Sequence, residues 1–363
     1  MTAQLTLSTD HWLYLHGKPV SSGTIKSCPQ DFQVTEIPAY PLTGEGEHIY
    51  LWIEKSQLNT AYVAEQLASF TGLPLRAISY AGRKDKYALT QQFFAVHLPG
   101  NHNPDWNTFD LSGAKVLSAT RHNKKLRTGA LKGNRFSITI RELDHPEQVT
   151  ERLALISRFG VPNYYGEQRF GNQNSNLHLA QKLVQGEVIR NRNKRSMCIS
   201  ALRSWLFNQT ISHRIGEKLF SQPIAGDVMK LAGSNSFFVA EQIDDVIEQR
   251  IQSGDIQLSA PLWGTGKLAS SGTVAELEQR VATEYSSIAN TLEKLKLVQE
   301  RRAIDVKPAN LDWKLDANTL TIAFDLPAGC FATSILRELI QFKAQPHSDQ
   351  QHTVAKDISQ VAS

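Results

Sequence analysis

Cysteine is scarce in this chain. Cys28, Cys198 and Cys330 are the only three in 363 residues, far apart and outside any CxxC spacing. An odd, sparse set of this kind excludes a disulfide framework, offers no thiolate metal site and suits a reducing cytoplasm. The 11 histidines are scattered without an HxxxH or HxxE pattern, so neither zinc nor another metal is expected. No apolar run reaches the roughly 18 residues that a membrane helix requires. The N-terminus does not set a basic stretch before an apolar one, so no secretory signal is expected. Heptads and internal repeats are also missing, and a cytoplasmic monomer is the expectation. With 41% hydrophobic and 20% charged residues, the chain reads as a soluble globular protein long enough for two domains.

Acidic residues are missing locally. Between 111 and 141 there is no Asp or Glu, against eight bases: Lys115, Arg121, Lys124, Lys125, Arg127, Lys132, Arg135 and Arg141. A second acid-free window, 188–216, carries Arg190, Arg192, Lys194, Arg195, Arg203 and Arg214. Acids gather instead in 241–255 and 276–298. Such segregation marks a face for a polyanion, although two merely solvated basic loops would give the same pattern.

What is present centres on 79–94, Ser-Tyr-Ala-Gly-Arg-Lys-Asp-Lys-Tyr-Ala-Leu-Thr-Gln-Gln-Phe-Phe. Asp85 stands there among Arg83, Lys84 and Lys86, just after Gly82 and before an apolar run. Neighbouring positive charge keeps a carboxylate ionised, and the glycine permits a tight turn. The acid therefore sits on a loop between expected strands at 76–81 and 92–98. A solvated hairpin tip has the same spacing.

Further strands are expected at 24–37, where Phe32 and Val34 alternate with Gln33 and Thr35, and at 48–54, 114–120, 134–141 and 319–326. Helices are expected at 60–70, capped by Asn59 or Thr60 and stopped by Gly72, at 147–159 and at 335–342. Between the strand-rich ends, 175–220 reads as mostly helical, 221–240 as short strands, 261–266 as a loop and 273–302 as a long helical region. The order predicts an α+β fold in which a second domain, 160–306, is inserted into a discontinuous first one, 1–159 with 307–344. Residues 345–363 read as a disordered tail.

Four more loops combine glycine or aromatics with polar groups: 26–36, 129–136, 163–171 and 327–334. Phe32, Phe136 and Phe331 can stack a nucleobase, and equally can face a core, as phenylalanine on a strand ordinarily does. Asn134 can pair with a base edge or cap a turn. Arg169 can hold a phosphate or order its loop through carbonyls. Gly129 and Gly133 would let the backbone approach a phosphate.

These stretches carry a resemblance. Ala81-Gly82-Arg83-Lys84-Asp85-Lys86-Tyr87-Ala88-Leu89-Thr90-Gln91 resembles the signature of the TruD family of tRNA pseudouridine synthases. So do Asp31-Phe32-Gln33-Val34-Thr35-Glu36 and Leu131-Lys132-Gly133-Asn134-Arg135-Phe136. The pattern continues in Asn163-Tyr164-Tyr165-Gly166-Glu167-Gln168-Arg169-Phe170-Gly171 and in Leu326-Pro327-Ala328-Gly329-Cys330-Phe331-Ala332-Thr333-Ser334, with Tyr165 where phenylalanine is common. The five motifs span about residues 20 to 342 in order.

The resemblance implies a catalytic domain on a central antiparallel or mixed sheet, interrupted by an inserted α/β domain particular to the family. It implies isomerisation of uridine 13 in the D-arm of tRNA, tRNA-Glu included, without a cofactor. Asp85 matches the catalytic aspartate. Phe32, Asn134 and Phe331 match positions that hold the target uridine, and Lys26 falls where a basic partner of the aspartate is expected. Two other classes compete with this one. An RNA-binding module without chemistry gains nothing from an acid in its cleft. A metal nuclease needs clustered carboxylates, and 72–97 offers only Asp85.

Overall fold

The computed structural model describes residues 7–100 and 102–343, so the tail expected at 345–363 lies outside the described residues. The chain before residue 142 supplies seven strands: β1 (Ser22–Ile25), β2 (Phe32–Pro38), β3 (His48–Lys55), β4 (Ile78–Tyr80), β5 (Leu89–His97), β6 (Ala114–His122) and β7 (Leu131–Arg141). After α1 (Thr60–Thr71), placed between β3 and β4, and α2 (Pro146–Phe159), the chain leaves this sheet. The pair β8 (Val161–Pro162) and β13 (Asp305–Val306) stands where it leaves and returns. It re-enters as β14 (Ala309–Asp316), β15 (Thr319–Pro327), α8 (Ala332–Leu339) and β16 (Gln341–Phe342).

These ten strands form one mixed sheet in the order β14-β15-β7-β2-β5-β3-β6, with β1, β4 and β16 at its margins. The α+β expectation holds, since strands from both ends of the chain share the sheet. Its main path is antiparallel except between β2 and β5, which run parallel with Gln33 opposite Leu89. That pairing brings the N-terminal ends of β2 and β5 to the same edge, and with them the loops that precede each strand.

Alternation decides which side chains face inward. Phe32, Val34, Phe136, Ile138 and Phe324 share one core with α2 and α8. Leu51, Ile53, Phe94 and Val96 form a second with α1. The registers put both cores on the same face of the sheet. Each of the larger side chains buried there contributes about 1.5–3 kcal/mol through the area it removes from water. Gly72 ends α1 in the left-handed conformation (φ 67°), as expected. Asn59 makes no side-chain cap, and the Thr60 hydroxyl turns inward to Gln92.

Between β8 and β13 lies a mainly helical block: α3 (Ser175–Val184), α4 (Arg192–Gly216), α5 (Asp245–Gln252), α6 (Gly272–Glu284) and α7 (Ser286–Lys294). They pack on a four-stranded sheet of β9 (Val228–Leu231), β10 (Phe237–Val239), β11 (Ile256–Leu262) and β12 (Glu300–Ala303). Two expectations fail here. Residues 261–262 close strand β11 instead of opening a loop, and 273–302 is two helices and a strand instead of one helical region. The charged run Glu300-Arg301-Arg302 can be a strand because buried Glu278 receives Arg301. The C-terminal helix likewise sits earlier than expected, at 332–339, with 341–342 a short strand. The N-terminal segment stitches the two parts: Leu13 N donates to Ser212 of α4, and Leu15 N and His16 N donate to Glu338 of α8.

Candidate active site

The Asp85 loop, 81–88, enters β5 beside the start of β2, so the segment leading into β2 lies against it. Lys26, in the left-handed conformation (φ 58°), donates from Nζ to Asp85 Oδ2 and lies 4.4 Å from the centroid of the Phe32 ring. Gln168 Nε2 donates to the same oxygen at 3.0 Å, and Tyr87 N donates to Oδ1 at 3.0 Å. Burial works against the charge on Asp85. The Lys26 ammonium and these hydrogen bonds outweigh it and hold the carboxyl below its ordinary value.

The cations adjacent in sequence do not do this. Arg83 is exposed, Lys86 lies over the Tyr87 ring, and Lys84 turns away to a buried pair with Glu36 Oε2 at 3.0 Å. The expectation that Arg83, Lys84 and Lys86 hold Asp85 ionised is therefore corrected. A residue 59 positions upstream does so, because sheet register outranks sequence neighbourhood.

A cradle of buried polar groups fixes the loop backbone. Gln92 Nε2 donates to Gly82 O at 3.0 Å, Lys84 N donates to Thr60 Oγ1 at 3.0 Å, and Lys55 Nζ donates to Asp85 O at 3.0 Å. Burial pushes the Lys55 ammonium down to about 8, against the opposing pull of Asp85. Glu36 is pushed above its ordinary value by desolvation, only partly countered by Lys84. Registers place Glu36, Lys55 and Gln92 on the inward face, between the two apolar cores.

Phe32 is 5% exposed and meets Phe136 edge-on, with 6.3 Å between centroids. Phe136 is stacked on Phe324 at 5.5 Å, so it backs Phe32 as core. Asn134 lies within β7 opposite Glu36 and caps no turn; its Oδ1 is buried and has no hydrogen-bond partner among the described residues. Phe331 sits at the N-terminus of α8 beside Tyr165, 5.8 Å between centroids. Arg169 donates to the Ser200 hydroxyl at 3.0 Å and covers the Tyr165 ring at 5.0 Å, so it orders this wall. The loops at 163–171 and 327–334 interlock: Ser334 Oγ donates to Tyr164 O at 2.8 Å.

Of the expected residues, Lys26, Phe32 and Asp85 are joined directly, Phe136 joins through Phe32, and Phe331 and Arg169 stand together on the loop wall that also supplies Gln168. Sequence reasoning missed Gln168, Glu36, Lys55, Thr60 and Gln92. A signal existed for two of them. Glu36 continues the inward series Phe32-Val34, and Lys55 continues Leu51-Ile53, so each is a charge in an apolar register.

The basic windows divide in two. Arg135 and Arg141 are paired with Asp325 and Asp31, Arg121 donates to the carbonyls of Gly46 and His102, and Arg214 is buried against Asp227. Lys124, Lys125 and Arg127 are exposed in the β6–β7 loop, whose Gly129 N donates to Ala81 O at 2.7 Å beside the Asp85 loop. Arg190, Arg192, Lys194 and Arg195 are exposed at the start of α4. Gly133 is not in that loop. It lies in β7, where a Cβ would stand 2.3 Å from Leu326 O, so its role is close strand approach.

The β3, β5 and β6 registers align His48, His97 and His122, although no motif joins them in sequence. Among the described residues no group of His, Cys, Asp and Glu is arranged to hold a metal ion, and no helix is long and apolar enough to cross a membrane.

The family model for tRNA pseudouridine synthase D (TruD) matches residues 9–191 and 189–339. The chain belongs to this family. It is accordingly a pseudouridine synthase, an isomerase whose substrate is tRNA. The chain is 54% identical over 343 residues to the tRNA pseudouridine synthase D of Pseudoalteromonas atlantica, covering 93% of this chain and 98% of that protein. It is 45% identical over 334 residues to that of Aeromonas salmonicida, covering 92% and 95%. A crystal structure of the putative tRNA pseudouridine synthase D from Methanosarcina mazei matches with a TM-score of 0.69 at 21% identity, covering 90% of this chain and 95% of that one. That likeness speaks to the fold.

Proposed function

We propose that this enzyme isomerises uridine 13 in the D-arm of tRNA, tRNA-Glu among its substrates, with Asp85 as the catalytic carboxylate. The observation that carries the reading is the ionised, partly exposed carboxylate of Asp85, gripped by Lys26 and Gln168 and mounted on a fixed backbone. In the reaction the C1′–N1 bond breaks, the uracil turns, and a C1′–C5 bond forms. C5 then loses its proton and N1 gains one, so the product is an isomer and no cofactor is consumed. An ionised carboxylate serves this chemistry as a nucleophile at C1′ or as a base toward a sugar proton.

The target base must leave the tRNA stack, at a cost of a few kcal/mol. Lys124, Lys125 and Arg127, tied to the Asp85 loop through Gly129, offset that cost by binding phosphates. Phe32 and Phe331 take the faces of the detached uracil. Asn134, with its unpaired buried oxygen, takes the base edge. Lys26 serves as the basic partner of Asp85, while Phe136 and Arg169 support the aromatic walls. We place the enzyme in the cytoplasm with its tRNA substrate, as a monomer, and read 1–159 with 307–344 as the catalytic domain and 160–306 as the insert.

The test is pseudouridine formation at each position of an unmodified tRNA transcript, by wild-type protein and Asp85→Asn, with chelator present. Product at one D-arm uridine with wild type alone is the expected result. Product at other positions removes the uridine-13 assignment, and turnover by Asp85→Asn removes the catalytic one.

A further inference from the structure

Lys55 is 1% exposed and forms no salt bridge among the described residues, although a buried ammonium is costly to desolvate. Its Nζ donates to two backbone carbonyls, Leu58 O at 2.9 Å and Asp85 O at 3.0 Å. The first lies in the turn that leads into α1, and the second belongs to the residue whose side chain performs the chemistry. We propose that Lys55 is a positioning residue that bolts the backbone of Asp85 to the sheet through the main-chain carbonyl and not through the carboxylate. The inference rests on the reading of Asp85 as the catalytic acid.

The physical reason is a difference between the two lysines at Asp85. Lys26 holds the carboxylate, so its grip weakens whenever that group forms a bond to carbon or takes up a proton. Lys55 holds the main-chain carbonyl, whose charge does not change during turnover. The loop then stays in register while the side chain reacts. Gln92 on Gly82 O and Thr60 on Lys84 N hold the preceding residues of the loop, which leaves the Asp85 carbonyl itself to Lys55. Lys55 touches no substrate, so its effect is on the rate of the bound complex and not on binding.

The experiment compares Lys55→Met, similar in length and without donors, with Lys55→Gln, which can serve one carbonyl. Single-turnover rates and tRNA Kd are measured on the full chain, with Asp85→Asn alongside. Misplacing a catalytic group by about 1 Å costs on the order of a hundredfold, so Lys55→Met is expected to lose about ten- to a hundredfold in rate with Kd within twofold. Lys55→Gln should fall between it and wild type. Amide exchange should quicken in 82–87 while β3 and α1 stay protected. Rates within twofold of wild type overturn the proposal. So does a rate loss matched by lost tRNA affinity, or by faster exchange throughout β3 and α1, which would make Lys55 an ordinary core residue. Should Lys55→Met fail to fold, Lys55→Gln alone is held to the same criteria. If Asp85→Asn itself turns over, it is the reading of Asp85 that fails, whatever the Lys55 variants do.

Discussion

Ion pairs wholly or partly removed from solvent occur in both parts of this molecule, and they differ in what they leave open. In the helical block, Arg214 and Asp227 are 1% and 0% exposed and meet through two hydrogen bonds; Ile224 N also donates to Asp227 and Arg214 also donates to Leu219 O, while Arg214 Nε is buried without a partner among the described residues. Arg301 and Glu278 form a second closed pair there, with Ser270 on the carboxylate. At the sheet, Lys26 and Asp85 are 21% and 15% exposed. Among the described residues, one Asp85 oxygen carries both side-chain donors and the other has the Tyr87 amide alone. A closed pair holds two chain segments together. An open one keeps a charged oxygen within reach of a ligand, so access separates a site from a strut.

The contrast can be challenged at either end. Asp85→Asn should lose on the order of a thousandfold or more in turnover while tRNA binding persists, measured by single-turnover assay and filter binding. A closed pair should respond in stability instead. Arg214→Ala leaves Asp227 buried and uncompensated, so urea unfolding should show a loss of about 3–5 kcal/mol, with turnover per folded molecule retained. If Arg214→Ala instead impaired turnover without destabilising the fold, the distinction between site and strut would collapse.

Two smaller effects refine it. Lys26→Met leaves the desolvation of Asp85 opposed only by hydrogen bonds. The carboxyl's pKa then rises and the acid limb of the pH–rate profile moves to higher pH, with turnover near neutrality down by about tenfold or more. The linked stability has a definite sign. A depressed carboxyl pKa stabilises the fold above its unfolded value, and that contribution is lost as pH falls through the folded pKa; in Lys26→Met, whose folded pKa is less depressed, the contribution should be smaller and its loss complete at higher pH. Replacing Lys124, Lys125 and Arg127 together by alanine should weaken tRNA binding and flatten its salt dependence. The log–log slope should drop by about 0.7–0.9 for each phosphate that is no longer neutralised. An unchanged slope would take this loop out of the interface.

Much of the fold is legible in local pattern. The alternation in β2, β3, β7 and β15 marks those strands, and Gly72 and Gly160 mark where α1 and α2 stop. The motif around Asp85 is legible as well, because its charge and its glycine are adjacent. Illegible were the elements whose burial depends on a distant partner. β12 reads as helix until Glu278, 23 residues away from Arg301, makes a buried arginine acceptable. Pro261 reads as a loop until β12 pairs with it.

Local sequence thus sufficed for the kinds of element outside β11 and β12, the segregation of charge, and the loop that presents Asp85. Each of these follows from neighbours within a turn or a strand. Of the groups that hold that acid, Lys26 was expected only through the family resemblance, and Gln168 and Lys55 emerged in three dimensions alone. Lys26 is 59 residues away, Gln168 is 83 away, and Lys55 reaches it across 30. Such partners meet through the pairing of β2 and β3 with β5 and the exit of the chain past β8. Register between distant strands is set by burying one whole face at once, which no short window of sequence contains.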